Sequence, residues 1–143
     1  MPYEYLDDIA TSDAAFKAWG ETREQMFIAA ADAMMNVMVG DLVSISDEQH
    51  RKIEVDSDAI DMLLFELLQE LIFYKDAQRL LLRVSDVRIR EQDGQFILQA
   101  EAYGEELNME KHDLVVDVKA VTLHRFRVEQ TPKGWEALVI VDI

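Results

Sequence analysis

Two stretches of this sequence repeat their apolar residues at helical spacing, and from residue 81 onward the repeat shortens to two, the spacing of strands. That change of period restricts the chain to folds in which a few helices cover a sheet. In the first stretch Met26, Phe27, Ala30, Ala33, Met34, Val37 and Met38 fall on one stripe. In the second, Ile60, Leu63, Leu64, Leu67, Leu68, Leu71 and Ile72 form a broad apolar face. Thr22-Arg23-Glu24-Gln25 has the form of a capping box at the start of the first helix, and Gly40 is placed to end it. Ser57 or Asp58 can cap the second. Seven methionines and a leucine-rich helix would also suit a partner-binding groove, but such stripes are far more often core.

Residues 14–19 read as a short strand closed by Gly20, and 52–56 alternate so that Ile53 and Val55 share a face. In the second half, runs at 81–91 and 95–104 flank Asp93-Gly94, a strong hairpin signal. A polar loop through 108–113 precedes the run 115–129, which is too long for one flat strand and predicts a bend or bulge near His124-Arg125. Pro132-Lys133-Gly134 makes the last turn. The final strand, 135–141, is apolar on both faces from Leu138 onward and therefore belongs at the centre of its sheet. The expected architecture is α+β: a two-layer sandwich of two helices packed on a mixed, mostly antiparallel sheet. At 143 residues it forms one domain, 1–143.

Charge narrows the range of partners. The chain has 29 acidic and 14 basic residues, a formal net charge of −15. Phosphate backbones are bound by cations that displace counterions, so autonomous binding of RNA or DNA is not expected, nor is binding to an anionic membrane. An acidic surface instead favours a basic partner and holds divalent cations nearby. The absence of Cys excludes disulfides, zinc ribbons and a thiol nucleophile. Met1-Pro2-Tyr3-Glu4-Tyr5 is unlike a signal peptide, and no apolar run approaches the roughly 20 residues that span a bilayer. A cytoplasmic protein is expected. The apolar helix stripes are compatible with a monomer or a dimer.

The usual catalytic constellations are missing. There is no Gly-rich phosphate loop, no G-x-S-x-G and no H-E-x-x-H, and His50, His112 and His124 lack ligand spacing. The final run, Leu138-Val139-Ile140-Val141-Asp142-Ile143, is physically odd. Period-two geometry puts Asp142 on the face of Leu138 and Ile140, which is expected to be buried, with the terminal carboxylate of Ile143 beside it. Two adjacent anions repel, and an unpaired buried carboxylate is costly. A divalent cation resolves both problems, and oxygen ligands favour Ca²⁺, Mg²⁺ or Mn²⁺ over zinc. A second acidic group, Asp7, Asp8 and Asp13, lies near the other terminus, where carboxylates also commonly cap loop backbone.

At these residues the sequence resembles the archease family, over residues 3–143. Ala10-Thr11-Ser12-Asp13 and the strand ending at Gly20 correspond to the family's His-Thr-Ala-Asp motif, with Ala10 in place of the histidine. Leu63-Leu64-Phe65-Glu66-Leu67-Leu68-Gln69-Glu70-Leu71 looks like its helix signature. Ala102-Tyr103-Gly104-Glu105, Lys111-His112, Asp117-Val118-Lys119-Ala120-Val121-Thr122-Leu123-His124 and the terminal Asp142-Ile143 also match. The resemblance implies a non-catalytic activator of a GTP-dependent RNA ligase. That ligase joins 3′-phosphate or 2′,3′-cyclic phosphate ends to 5′-hydroxyl ends in tRNA splicing and RNA repair. It further implies promotion of ligase guanylylation and repeated turnover, and a divalent metal, calcium, held by Asp13, Asp142 and Ile143. A ligase with a basic active-site cleft is the partner expected of so acidic a chain. Lys119 is either an interface residue or the partner of a nearby carboxylate. Two rival readings are a metal-dependent phosphoester hydrolase using Asp13 and Asp142 to activate water, and a chaperone or specificity factor for a tRNA methyltransferase.

Overall fold

The computed structural model describes residues 2–6 and 13–143. Within them the chain runs β1 (Tyr3–Leu6), β2 (Asp13–Gly20), α1 (Arg23–Met38), a 3₁₀ turn (Leu42–Ser44), β3 (Gln49–Ser57) and α2 (Ile60–Gln78). It continues through β4 (Leu80–Gln92), β5 (Gln95–Glu106), β6 (Ala120–Val121), β7 (Arg127–Thr131) and β8 (Gly134–Asp142). The α+β class is as expected, and the strands divide into two sheets. One has the order β1-β2-β8-β6, with β7 also on β8, and the other the order β3-β5-β4. Every strand pairing is antiparallel.

Both helices touch strands of both sheets, α1 against β2, β8 and β4, and α2 against β3, β4 and β6. This explains why burial on α1 spreads beyond one stripe: Ala29, Ala31 and Met35 are buried along with the predicted face. Met26, Met34, Met35 and Met38 are all core residues. The α2 face is buried from Leu63 to Ile72. At the start of α1, Thr22 Oγ1 accepts from Gln25 N at 3.1 Å, while Gln25 Oε1 accepts from Glu21 N at 3.0 Å, one residue before the position a standard capping box would use. The N-cap of α2 is Ala59, with Ser57 Oγ accepting from Ala59 N at 3.4 Å, so the cap falls two residues after Ser57 and one after Asp58, the two positions expected.

The Asp93-Gly94 hairpin forms as predicted, with both residues at positive φ (53° and 79°), which identifies a type I′ turn. The run 115–129 does break at His124-Arg125: Arg125 has φ 54° and β6 and β7 stand on either side. β8 lies between β2 and the β6/β7 pair, the central position its two apolar faces require. Strand β1 was not foreseen. Its Tyr3 and Tyr5 hydroxyls donate to Asn36 Oδ1 (3.2 Å) and Ala33 O (2.8 Å), fastening a short edge to α1, and the Tyr-Glu-Tyr alternation was the available signal.

Gly104 sits where β5 runs hard against β4 opposite Leu82: a Cβ there would lie 1.7 Å from Leu81 O. Gly94 is the converse, with nothing within 4 Å but φ +79°. Gly104→Ala is therefore expected to lower unfolding free energy by about 3 kcal/mol or more through a backbone clash. Gly94→Ala should lower it by only about 1–2 kcal/mol through conformational strain. Urea denaturation of the two variants checks the order.

Candidate metal centre and the contacts that position it

The register of β2 on β8 pairs Asp13 with Asp142, Ala15 with Ile140 and Lys17 with Leu138. The residues that alternate with these, Phe16 and Ala18 on β2 and Ala137, Val139 and Val141 on β8, belong to the helix-covered core. Asp13 and Asp142 thus share the sheet's outer face, directly opposite each other on neighbouring strands. Asp142 does lie on the face of Leu138 and Ile140, but burial there is uneven. Ala15 and Ile140 are each 1% exposed, whereas Leu138 and both aspartates are half-buried. The side chain of Ile143 packs against the core.

Asp7, Asp8, Ala10, Thr11 and Ser12 lie outside the described residues. Among the described residues neither Asp13 nor Asp142 forms an ion pair. No set of three or more His, Cys, Asp or Glu side chains among them converges as a metal site. The two carboxylates are hard oxygen donors, and like charges placed opposite each other across strands are destabilising until something neutralises them. That donor chemistry fits a divalent cation of the Ca²⁺, Mg²⁺ or Mn²⁺ type.

A chain of contacts from α2 fixes Asp142. Gln69 Oε1 accepts from Val121 N at 3.1 Å, and Lys75, a buried lysine on the same helix, is ion-paired with Asp76 and Asp117. The segment so held presents Lys119 N to Asp142 O at 2.8 Å and pairs Ala120 with Asp142. Thr122 donates to Ile140 O through both its N–H (3.0 Å) and its hydroxyl (2.9 Å). Burial opposes the charge on Lys75, but the hydrogen bonds it donates to Asp117 and Asp76 outweigh that and raise its pKa. Gln69 and Asp117 fall within the segments that resemble the family, with no role legible from sequence, and Lys75 lies outside every predicted motif. A lysine interrupting an otherwise apolar helix face was the available signal. The Lys119 side chain is exposed and in no ion pair among the described residues.

The profile of the archease protein family matches residues 3–143. The chain belongs to the archease family. Protein archease of Methanosarcina barkeri is 37% identical over 142 residues, covering 99% of this chain and 95% of that one. Protein archease of Pyrococcus furiosus is 35% identical over 134 residues, covering 93% and 94%. The solution structure of protein 1598 of Methanobacterium thermoautotrophicum superposes with a TM-score of 0.86 at 34% identity, covering 99% of each chain. An archease described as a possible chaperone, from Thermotoga maritima, shares the fold with a TM-score of 0.63 at 16% identity, covering 96% and 97%.

A second polar cluster joins two other segments that resembled the archease family. Glu105 is buried, accepts from Lys111 Nζ at 2.7 and 2.9 Å, and is bonded by the backbone N–H of Ser46. His112 Nδ1 accepts from Asn108 N at 3.0 Å, which leaves the ring proton on Nε2, 3.4 Å from Glu105 Oε2. Burial pushes the Glu105 carboxyl up, but the Lys111, Ser46 and His112 contacts prevail and lower its pKa to about 2. His50 and His124, by contrast, are exposed. Among the described residues no helix is long and apolar enough to cross a membrane.

The stabilisation from Glu105 is present above its unfolded-state value of 4.5 and is lost as pH falls from there through about 2. Glu105→Gln should cost about 2 kcal/mol at neutral pH and flatten the decline in stability below pH 4.5. Urea midpoints measured from neutral to acid pH check both.

Proposed function

We propose that this protein is a non-catalytic, metal-binding accessory protein that promotes guanylylation and repeated turnover of a GTP-dependent RNA ligase. The ligase would join 3′-phosphate or 2′,3′-cyclic phosphate ends to 5′-hydroxyl ends in the cytoplasm, in tRNA splicing or RNA repair. The observation that carries this reading is the cross-strand pair Asp13–Asp142 on the outer face of the sheet. Membership of the archease family supports it, as does the net charge of −15.

The cation would be held by the carboxylates of Asp13, Asp142 and terminal Ile143, Ca²⁺ being preferred and Mg²⁺ or Mn²⁺ chemically admissible. When bound, it supplies positive charge for phosphate oxygens at an otherwise anionic surface. The protein's own residues orient that surface: α2 holds the 117–122 segment through Gln69 and Lys75, and that segment holds Asp142. A strongly acidic domain is drawn to the basic cleft where the ligase must bind RNA. The two ligands compete for the cleft, so the accessory protein acts before RNA binds and then leaves.

Asp142→Asn is expected to raise apo-protein stability by about 0.5 kcal/mol by removing the cross-strand repulsion. The same substitution should abolish calcium binding in isothermal titration and the calcium-dependent rise in melting temperature. A variant that binds calcium as wild type does would refute the assigned ligands. In the functional assay, purified ligase with GTP and excess RNA ends should undergo repeated joining with the wild-type protein. With Asp142→Asn it should stall near a single turnover. Undiminished stimulation by the variant would overturn the role proposed for this face.

A further inference from the structure

The opposite end of β2 and β8 carries a feature unrelated to the acid pair. Both tryptophans of the chain, Trp19 and Trp135, line one open cleft of about 840 Å³. Pro2 and Pro132 extend its apolar walls, and Glu21 and Glu136 add carboxylates. Trp19 is 37% exposed, high for an indole on a sheet. A shallower groove of about 290 Å³ shares Pro2, Trp19, Gly20 and Gln25 with the cleft and continues along α1 past Ile28 to Asp32.

The cleft is shaped by close backbone crossings. Trp19 N donates to Pro2 O at 2.9 Å, drawing Pro2 alongside the indole-bearing strand. A Cβ on Gly134 (φ +137°) would lie 2.2 Å from Gly20 O, and one on Gly20 would lie 2.6 Å from Met26 N. The β7–β8 turn, the end of β2 and the start of α1 therefore meet with no room for side chains, and the cleft opens beside this junction, with Trp19 exposed on one sheet face and Trp135 packed against the core on the other.

Its charge selects the ligand. Among the described residues Lys133 is the one basic residue of the lining, against Glu21 and Glu136. Glu136 is only loosely engaged, 3.7 Å from Arg127. The start of α1 offers no anion site in compensation, because Thr22 serves Gln25 and Glu24 lies in the first turn. A phosphate is therefore repelled, whereas a cation gains from Glu21, from Glu136 and from the exposed Trp19 indole, which the β2–β8 register sets opposite Glu136 on one face of the sheet. Guanidinium suits this better than ammonium, since its plane stacks on indole while its donors reach carboxylate oxygens. The continuous groove along α1 matches an extended chain.

We infer that this cleft docks an extended, arginine-bearing peptide segment of a protein partner. The site lies about 23 Å along β2 from Asp13, so it stands independently of the ligase reading. Because both tryptophans line the cleft, emission excited selectively from tryptophan, beyond the absorption of the four tyrosines, reports on it in the isolated protein. The probe is a short capped peptide with arginines flanking a proline; its control carries citrulline, the uncharged isostere. The arginine peptide should give a saturable emission change, at least about fivefold tighter than the citrulline peptide and weakened by salt. Glu21→Gln with Glu136→Gln should weaken it by about tenfold, and Trp19→Ala, with unchanged circular dichroism, should abolish it. Three outcomes would overturn the inference. One is equal response to both peptides, or to neither. Another is a saturable response to an oligouridylate instead. The third is emission that changes with protein concentration alone, which would assign the cleft to a second copy of this chain.

Discussion

The antiparallel ladder between β2 and β8 joins segments near the two ends of the sequence, and the rest of the five-stranded sheet is built on it. β1 adds to β2 on one side, while β6 and β7 add to β8 on the other. Closing so long a loop costs conformational entropy that local contacts cannot offset, so the ladder forms only with the core behind it. That core is the row Phe16, Ala18, Ala137, Val139 and Val141, packed on helix-borne methionines and leucines. Because register is tied to burial of this row, a slip of one residue would turn the apolar set outward. The same constraint holds Asp13 opposite Asp142, a pairing that no local preference would choose.

Buried polar contacts then fix the segments that sheet pairing leaves loose. The stretch between β5 and β7 has only the two-residue strand β6, yet it is held at its start and in its middle. Glu105, Lys111 and His112 tie its start to Ser46, and Lys75 with Gln69 tie its middle to α2. Each of these ion pairs has one buried member, Lys75 or Glu105, and losing its exposed partner would leave that charge uncompensated, while the complete pair contributes little net stability. Their effect here is positional: they decide where the 117–122 segment runs, and so where Asp142 stands.

The sheet consequently presents two chemically distinct ends on one rigid ladder. One carries paired carboxylates, suited to a hard cation and through it to phosphate. The other carries indoles and carboxylates, suited to an organic cation. On the proposed reading, an acidic protein with both features would meet a basic macromolecule at more than one point, which sharpens specificity beyond what net charge alone provides.

Much of this was written in local sequence. The helix stripes, the Thr22 cap, the Asp93-Gly94 hairpin, the break at His124-Arg125 and the central place of the last strand each follow from period, turn chemistry or two-faced apolarity. These properties belong to a few neighbouring residues, and they survived folding for that reason. The division into two sheets, the breadth of burial around α1, the pairing of Lys75 with Asp117 and the outward direction of the acid pair were decided only in three dimensions. Each depends on which distant surface covers a residue, and periodicity states that a face is apolar without stating what will lie against it. Sequence marked Asp142 as unusual and Asp13 only through the family resemblance, and the β2–β8 register alone made them neighbours.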